Sequence, residues 1–282
     1  MSAETVPYWT TAISDVDAED VHIRGYPLKA ILGRLSFAAA TFLLIRGRLP
    51  SPSEARMVDA LLCAVLDYSL EKPGTMAARY CVSGNPNMAA GVAAAVLSVG
   101  AYTLAPEDAG RFIAESHAAY RASGRGRGEA AADLVAGLRA ERQLVPGFGH
   151  PNFRYSDPRA CELKRIAQST GVWGDVCDWY EAVHVAFITA AGKPDLVIND
   201  VGMMAAIMVE MGFTPPEMTG IALLSSLPGV IAHVSEEMQT NIRIRTVPEG
   251  SAGYDRERRD LERDLVEAGW PAADAAEKGV RS

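Results

Sequence analysis

The sequence predicts an all-α protein, and three observations carry that expectation. Apolar residues recur at three- and four-residue spacing through most of the 282 positions. Helix-start signals such as Ser51-Pro52-Ser53-Glu54, Pro106-Glu107-Asp108 and Asp157-Pro158-Arg159 punctuate the chain. No convincing run of strands and no internal repeat interrupts the pattern. A chain that is 49% hydrophobic and 22% charged has the material for a real core, in one large domain or two moderate ones.

Taken in order, Pro27 opens a helix that carries the apolar run Leu35–Ile45 and ends near Gly47. That run lies between Arg34 and Arg46 and is too short to span a bilayer, so it reads as a buried helix. In the next helix Ser51 can cap, Pro52 suits the first turn and Glu54 reaches back; Met57, Ala60, Leu61, Ala64 and Val65 give it one buried face. The small Ala- and Val-rich residues from Met88 to Val99 predict a helix that approaches its neighbours closely. Pro106-Glu107-Asp108 starts another, with acids favourably placed at its positive end.

Gly124-Arg125-Gly126-Arg127-Gly128 breaks the chain; a solvated loop is the main reading and a phosphate cradle the alternative. Further helices are expected over Glu129–Arg142, Ala160–Ser169, Val176–Ala191, Gly202–Met211 and Thr219–Gln239. Met203, Met204, Met208 and Met211 read as core or subunit-interface filling. The charged tail from Tyr254, with Arg256–Asp260 in a row, reads as a solvated helix followed by a frayed end.

A net charge of −8 and a pI near 5.2 argue against general nucleic-acid binding. Four scattered cysteines without a CxxC pair point to reduced thiols, and five histidines far apart in sequence show no metal-ligand spacing. The start, MSAETVPYWTT, has no basic or apolar region of a secretory signal. The expectation is a soluble cytoplasmic protein with no metal, no membrane and no nucleic-acid partner.

Chemistry concentrates in Val145-Pro146-Gly147-Phe148-Gly149-His150 and the Asp157-Pro158-Arg159 turn that follows. Glycines leave backbone N–H and C=O groups open to a flat ligand. A histidine beside them can move protons near neutral pH, and an arginine can hold a carboxylate bidentately. The alternative is a surface loop with a solvated histidine and an arginine at a helix start.

VPGFGH followed by DPRA resembles the citrate synthase superfamily, and its short citryl-CoA lyase branch in particular. Tyr8–Ser14, Ile23–Tyr26, Gly33–Phe37, Leu49–Ser51 and Ile231–His233 with Glu236-Glu237 extend the resemblance over nearly the whole chain. It implies a homodimer with a large helical domain (1–105 and 213–282) around a smaller CoA-binding domain (106–212). It also implies an acyl-CoA as substrate or product, with a keto or hydroxy acid beside it.

Residue by residue, the resemblance assigns His150 to the ketone oxygen, Arg159 to a substrate carboxylate and the turn Val145, Pro146, Gly147, Phe148, Gly149 to coenzyme A. Arg243 or Arg245 is the candidate to enter the partner's site. Other positions depart from the pattern. Tyr68 stands where the lyase branch has a substrate-binding histidine, Thr103 replaces the histidine on the enol oxygen, and Ser226 replaces a carboxylate-binding arginine. Val201 occupies the place of the base, with Asp200 one step off; Asp200 reads as a helix-terminal acid, an inward-pointing base being the alternative.

Tyr68 reads equally as an oxyanion donor or as an ordinary half-buried tyrosine. The expected activity is a Claisen or retro-Claisen carbon–carbon lyase or synthase reaction on a hydroxyacyl-CoA other than the usual citrate pair, with no methyl proton exchange on acetyl-CoA. The alternative is a degenerate member that senses acyl-CoA without turnover.

Overall fold

The computed structural model describes residues 8–100, 102–104 and 106–271. It is mostly helical, and the chain divides into a body, Met1–Ile244, and a C-terminal segment, Arg245–Ser282.

The body opens with a small antiparallel sheet, β1 (Ser14–Val16), β2 (Val21–Ile23) and β3 (Tyr26–Pro27), in that order. Arg24 ties it down, donating to the Leu44 carbonyl from Nε and Nη2 (3.0 and 2.6 Å). The helix expected from Pro27 to Gly47 is two: α1 (Leu28–Ile31) and α2 (Phe37–Arg46). Gly33 sits between them at φ +76°, a left-handed conformation that suits glycine and breaks the helix. Ser36 then caps α2 by accepting from the Ala39 N–H, and Gly47 ends it.

α3 (Pro52–Cys63) begins with the complete Ser51/Glu54 capping box. A helix not expected from the pattern, α4 (Pro73–Gly84), follows; α5 (Met88–Leu97), α6 (Pro106–Ser123) and α7 (Arg127–Ala140) come next. Arg125 pairs with Glu129 and Asp133, and Arg127 with Asp175 and Asp178, so carboxylates already occupy the arginines of the Gly124–Gly128 break. α8 (Pro158–Thr170), α9 (Asp175–Ala191), α10 (Asp200–Glu210) and the long α11 (Pro215–Gln239) complete the body.

α10 is the centre. Met203 through Met208 are all buried, so the helix is apolar all round and packs against α6, α8 and α9. Phe42, Met57, Leu61, Ile113, Met218 and Ile221 surround it, and each such side chain contributes roughly 1.5–3 kcal/mol by leaving water. The methionines are therefore core. A second cluster joins α4, α5 and α11 through Ala78, Val82, Ala95, Val230 and Val234. There Gly91 is pressed between Val82 and Val234, the close approach its small residues predict.

α11 has the length and apolarity of a membrane span, and it packs against α3, α4, α5 and α6. In the C-terminal segment α12 (Leu261–Glu267) starts after Asp260, so the charged run Arg256–Asp260 precedes the helix rather than forming it. The expected frayed end falls on 272–282, outside the described residues.

Candidate functional site

A cavity of about 330 Å³ opens where four stretches meet: Val65–Pro73, Tyr102–Leu104, Gly149–Pro151 and the starts of α8 and α10. Local chemistry explains why these stretches converge. Asp157 caps α8 by accepting from the Arg159 N–H (3.0 Å) and also accepts from the Asp200 N–H at the start of α10 (3.1 Å). Asn199 caps α10 by accepting from the Gly202 N–H (2.8 Å), and its amide donates to the Gly149 carbonyl (2.8 Å). Two helix N-termini and the glycine turn are thus bound together by two side chains.

The turn itself is pinned rather than open. Tyr180 Oη donates to the Pro146 carbonyl (2.7 Å), the Asn199 N–H to Gly147 (2.9 Å), and the Gly149 N–H to the Val197 carbonyl (2.8 Å). Val145 is buried, and Phe148 packs among Tyr180, His184 and Phe187. Of the five turn residues only Gly149 lines the cavity. Gly147, at φ +84°, lies so close to α10 that a Cβ would meet Gly202 Cα at 2.5 Å. A branched side chain at 147 therefore disrupts the fold itself, and Gly147→Val cannot serve as a clean probe of ligand binding.

Arg159 is the hub. Its Nε and Nη2 bond Asp157 (3.1 and 2.8 Å), and its Nη1 bonds Asp200 Oδ2 (2.7 Å). The rings of Tyr68 and Phe153 lie 5.6 and 5.4 Å from the guanidinium carbon, within cation–π range. Burial opposes the charge, but Asp157 and Asp200 outweigh it and hold the guanidinium above its ordinary value.

Asp200 faces the cavity. It is 5% exposed, and burial pushes its carboxyl above the ordinary aspartate value against the pull of Arg159. Asp200 is thus the first residue of α10 and an inward-pointing acid together, where sequence favoured only the first role. Val201 lines the cavity beside it.

His150 accepts at Nδ1 from the N–H groups of Asn152 (3.1 Å) and Phe153 (3.2 Å). In a neutral imidazole this leaves the proton on Nε2, which lies 3.1 Å from Arg159 Nη2, itself only a donor. Donors therefore surround the ring, and a ligand oxygen beside Nε2 would supply the acceptor that it lacks. His150, Asp157 and Asp200 offer ligand-type atoms within 4.8 Å of one another, but the Arg159 guanidinium contacts all three. That cation makes the cluster a poor fit for a metal ion.

On the facing stretches, Tyr68 Oη accepts from the Asn152 amide (2.8 Å), which leaves its own proton to donate. Thr103 lines the cavity at the end of a tight turn whose N–H and C=O groups pair with Gly100. Asp67 is held by the Ser69 N–H (3.0 Å) and His233 (3.2 Å). Burial raises its pKa, but these partners outweigh it and keep Asp67 below the ordinary value. Its backbone is seated on α11, where a Cβ on Gly229 would overlap the Leu66 carbonyl and come within 2.9 Å of Asp67 Cβ.

Ser226 does not line this cavity. Its hydroxyl folds back onto the Leu223 carbonyl (3.0 Å), and it borders a separate small void shared with Lys72. Arg243 lies exposed beyond α11, and Arg245 is half-buried in the C-terminal segment. Sequence reasoning missed Asn199, Asn152 and Lys72. Asn199 had a signal, since an Asn three residues before a glycine at an apolar helix start is a cap; the other two had none.

Comparison with known proteins bears on this geometry. A family model described as citrate synthase, C-terminal domain, matches residues 50–247. Citrate synthase 2 of Bacillus subtilis is 26% identical over 205 residues, covering 71% of this chain and 52% of the relative. The chain thus spans about half the length of that curated relative. Citryl-CoA lyase from Hydrogenobacter thermophilus has a TM-score of 0.84 at 35% identity, over 92% of this chain and 100% of that one. ATP citrate lyase from Methanothrix soehngenii, solved with citrate and coenzyme A, has a TM-score of 0.76 at 19% identity over 90% of this chain and 42% of its own, a likeness of fold.

Proposed function

The chain belongs to the citrate synthase family, and from that premise we propose that it makes or cleaves a carbon–carbon bond on an acyl-CoA by a Claisen or retro-Claisen step. The observation that carries this reading is the Asp200 carboxyl, buried in the cavity between Arg159 and Val201 with its affinity for a proton raised by burial. A carboxylate so placed is a stronger base than one in water, and its acid form can return the proton.

In the bond-forming direction Asp200 takes a proton from the carbon next to the thioester, and the enolate attacks the ketone carbon of the acid. His150 Nε2–H donates to the ketone oxygen as it gains charge, and Arg159 holds a carboxylate. Tyr68 or Thr103 donates to the thioester oxygen. In cleavage the carbon–carbon bond breaks, protonated Asp200 gives its proton to the enolate carbon, and the Asp200 carboxylate so formed takes up the proton that the hydroxyl releases. A carboxylate on Arg159 competes with Asp200 for Nη1, so acid binding frees the base.

The two-domain division at 105/106 and 212/213 and the homodimer belong to this reading, with coenzyme A entering past Gly149. The test is incubation with a panel of hydroxyacyl-CoA thioesters, with release of acetyl-CoA and a keto acid followed by mass spectrometry. Deuterium uptake into the acetyl-CoA methyl is measured in parallel. Product from a panel member is expected; because Asp200 lines the cavity, methyl exchange that is lost in Asp200→Ala replaces the sequence expectation of no exchange. Binding across the panel with neither product nor exchange overturns the reading in favour of an acyl-CoA sensor.

A further inference from the structure

We propose that His233 is a positioning residue of the cavity: by donating to Asp67 it fixes Tyr68 against His150 and Arg159. Its consequence for acid binding rests on the reading of the cavity as an acyl-CoA and acid site.

His233 lies on α11, outside the cavity lining, in a row of charged groups that runs from α4 to the cavity wall. At the far end the Glu237 carboxylate, on a residue 2% exposed, accepts from Arg79 Nε on α4 (2.7 Å). Arg79 Nη1 donates to Glu236 (2.5 Å) and lies 3.3 Å from His233 Nδ1. A guanidinium only donates, so Nδ1 is the acceptor of that pair and the neutral imidazole keeps its proton on Nε2. Nε2 faces Asp67 Oδ2 at 3.2 Å, and the same oxygen accepts from the Ser69 N–H (3.0 Å). The Glu236 carboxylate is 3.9 Å from Nδ1, beyond hydrogen-bond reach. Arg79 thus sets the tautomer, and the tautomer supplies the donor to Asp67.

Asp67 in turn holds the bend that carries Tyr68. Ser69 has φ +55°, a left-handed conformation that a residue with a Cβ seldom takes, and Asp67 accepts its N–H. Tyr68, between the two, stands edge-on to the His150 ring, with centroids 6.1 Å apart and planes at 75°. The same ring lies 5.6 Å from the Arg159 guanidinium carbon. Gly229 gives Leu66 and Asp67 room to lie against α11, and His233 follows four residues later on the same face. One face of α11 therefore seats the backbone before Tyr68 and also ties down its carboxylate. Asn152 fixes the tyrosine at its hydroxyl, and His233 fixes it from behind.

The test records NMR spectra of histidine-labelled protein without ligand, the His150 ring signal being identified by its loss in His150→Gln. An aromatic ring shifts the resonances of its neighbour, and Tyr68→Leu marks where the His150 signal falls without that ring. His233→Asn puts an amide oxygen near Nδ1 for Arg79 but leaves no donor within reach of Asp67. It is expected to move the His150 signal toward the Tyr68→Leu position. In calorimetry it is expected to weaken oxaloacetate about two- to tenfold, the worth of one hydrogen bond. His233→Gln puts an amide nitrogen near Nε2 and is expected to restore both. Asp67→Ala removes the other end of the bond and should do at least as much, with the double variant no worse than Asp67→Ala alone. A His150 signal that stays in place in folded His233→Asn or Asp67→Ala overturns the proposal. An equal shift in the Asn and Gln variants overturns it too, because the bulk of the imidazole rather than its donor would then matter. Wild type that does not bind oxaloacetate overturns the acid site alone, since the spectra decide the positioning without it.

Discussion

The two sides of the cavity are built on different principles. On one side, the glycine turn and the starts of α8 and α10 hold His150, Asp157, Arg159, Asn199 and Asp200 in one web of hydrogen bonds. On the other, Tyr68, Lys72 and Thr103 stand on short connecting stretches with few bonds between them. The first side is preorganised, so its groups meet a reacting centre without paying to reorder. The second is joined to the fold through main chain and the contact of Asp67 with His233, and its other side chains can change without dismantling a network. The departures from the family pattern fall on both sides, at Tyr68 and Thr103 on the sparse one and at Asp200-Val201 on the rigid one.

The largest expected effect breaks the rigid side at its reacting atom. Asp200→Asn keeps the size and an oxygen for Arg159 but removes the base; exchange of the acetyl-CoA methyl protons should fall by about 10² or more. A rate within fivefold of wild type would move the base elsewhere. Next comes Gly147→Val, which places a branched side chain against the Gly202 backbone at a left-handed φ. A loss of about 4 kcal/mol or more is expected by denaturant unfolding, since neither backbone can give way. A melting midpoint near wild type would show the turn to be looser than its contacts indicate.

A subtler test uses pH. Burial raises the Asp200 pKa in the folded state above its unfolded value. Below the unfolded value the group is protonated in both states and costs nothing. As pH rises through the raised value the native state must hold a buried charge, and stability is lost. Asp200→Asn should therefore gain in melting temperature relative to wild type as pH rises from the acidic range to neutrality. A constant difference would place the carboxylate's cost elsewhere. The smallest effect belongs to the sparse side: Tyr68→Phe removes one hydrogen bond, to Asn152, and should cost about 0.5–1.5 kcal/mol of stability. A several-fold loss of rate with little loss of stability would place its hydroxyl on the thioester oxygen.

The same contrast governs what could be read from the sequence. Caps and breakers are local, so Ser51, Pro106, Asp157 and the glycine ends of α2, α8 and α9 announce themselves. The three strands, of two or three residues each, are too short for alternation to register. α4 is rich in small and polar residues and hides its apolar face. His150 and Arg159 were legible because they sit in a motif. The inward turn of Asp200 was not, because it is set by Asp157, 43 residues earlier, which accepts the Asp200 N–H. Lys72 carries no motif, and its place in the lining is a property of the folded cavity alone.

Gly229 has a bearing on how such a pocket changes over time. It lies on α11, which contributes no side chain to the cavity lining, yet its missing Cβ is what lets Leu66 and Asp67 lie flat against that helix. Any larger residue there would push the stretch carrying Tyr68 and Lys72 toward the facing wall. The width of the pocket is thus stored one layer away from it. A lineage can retune the room in the cavity by drifting at a position outside its lining, while the residues of the facing wall stay fixed.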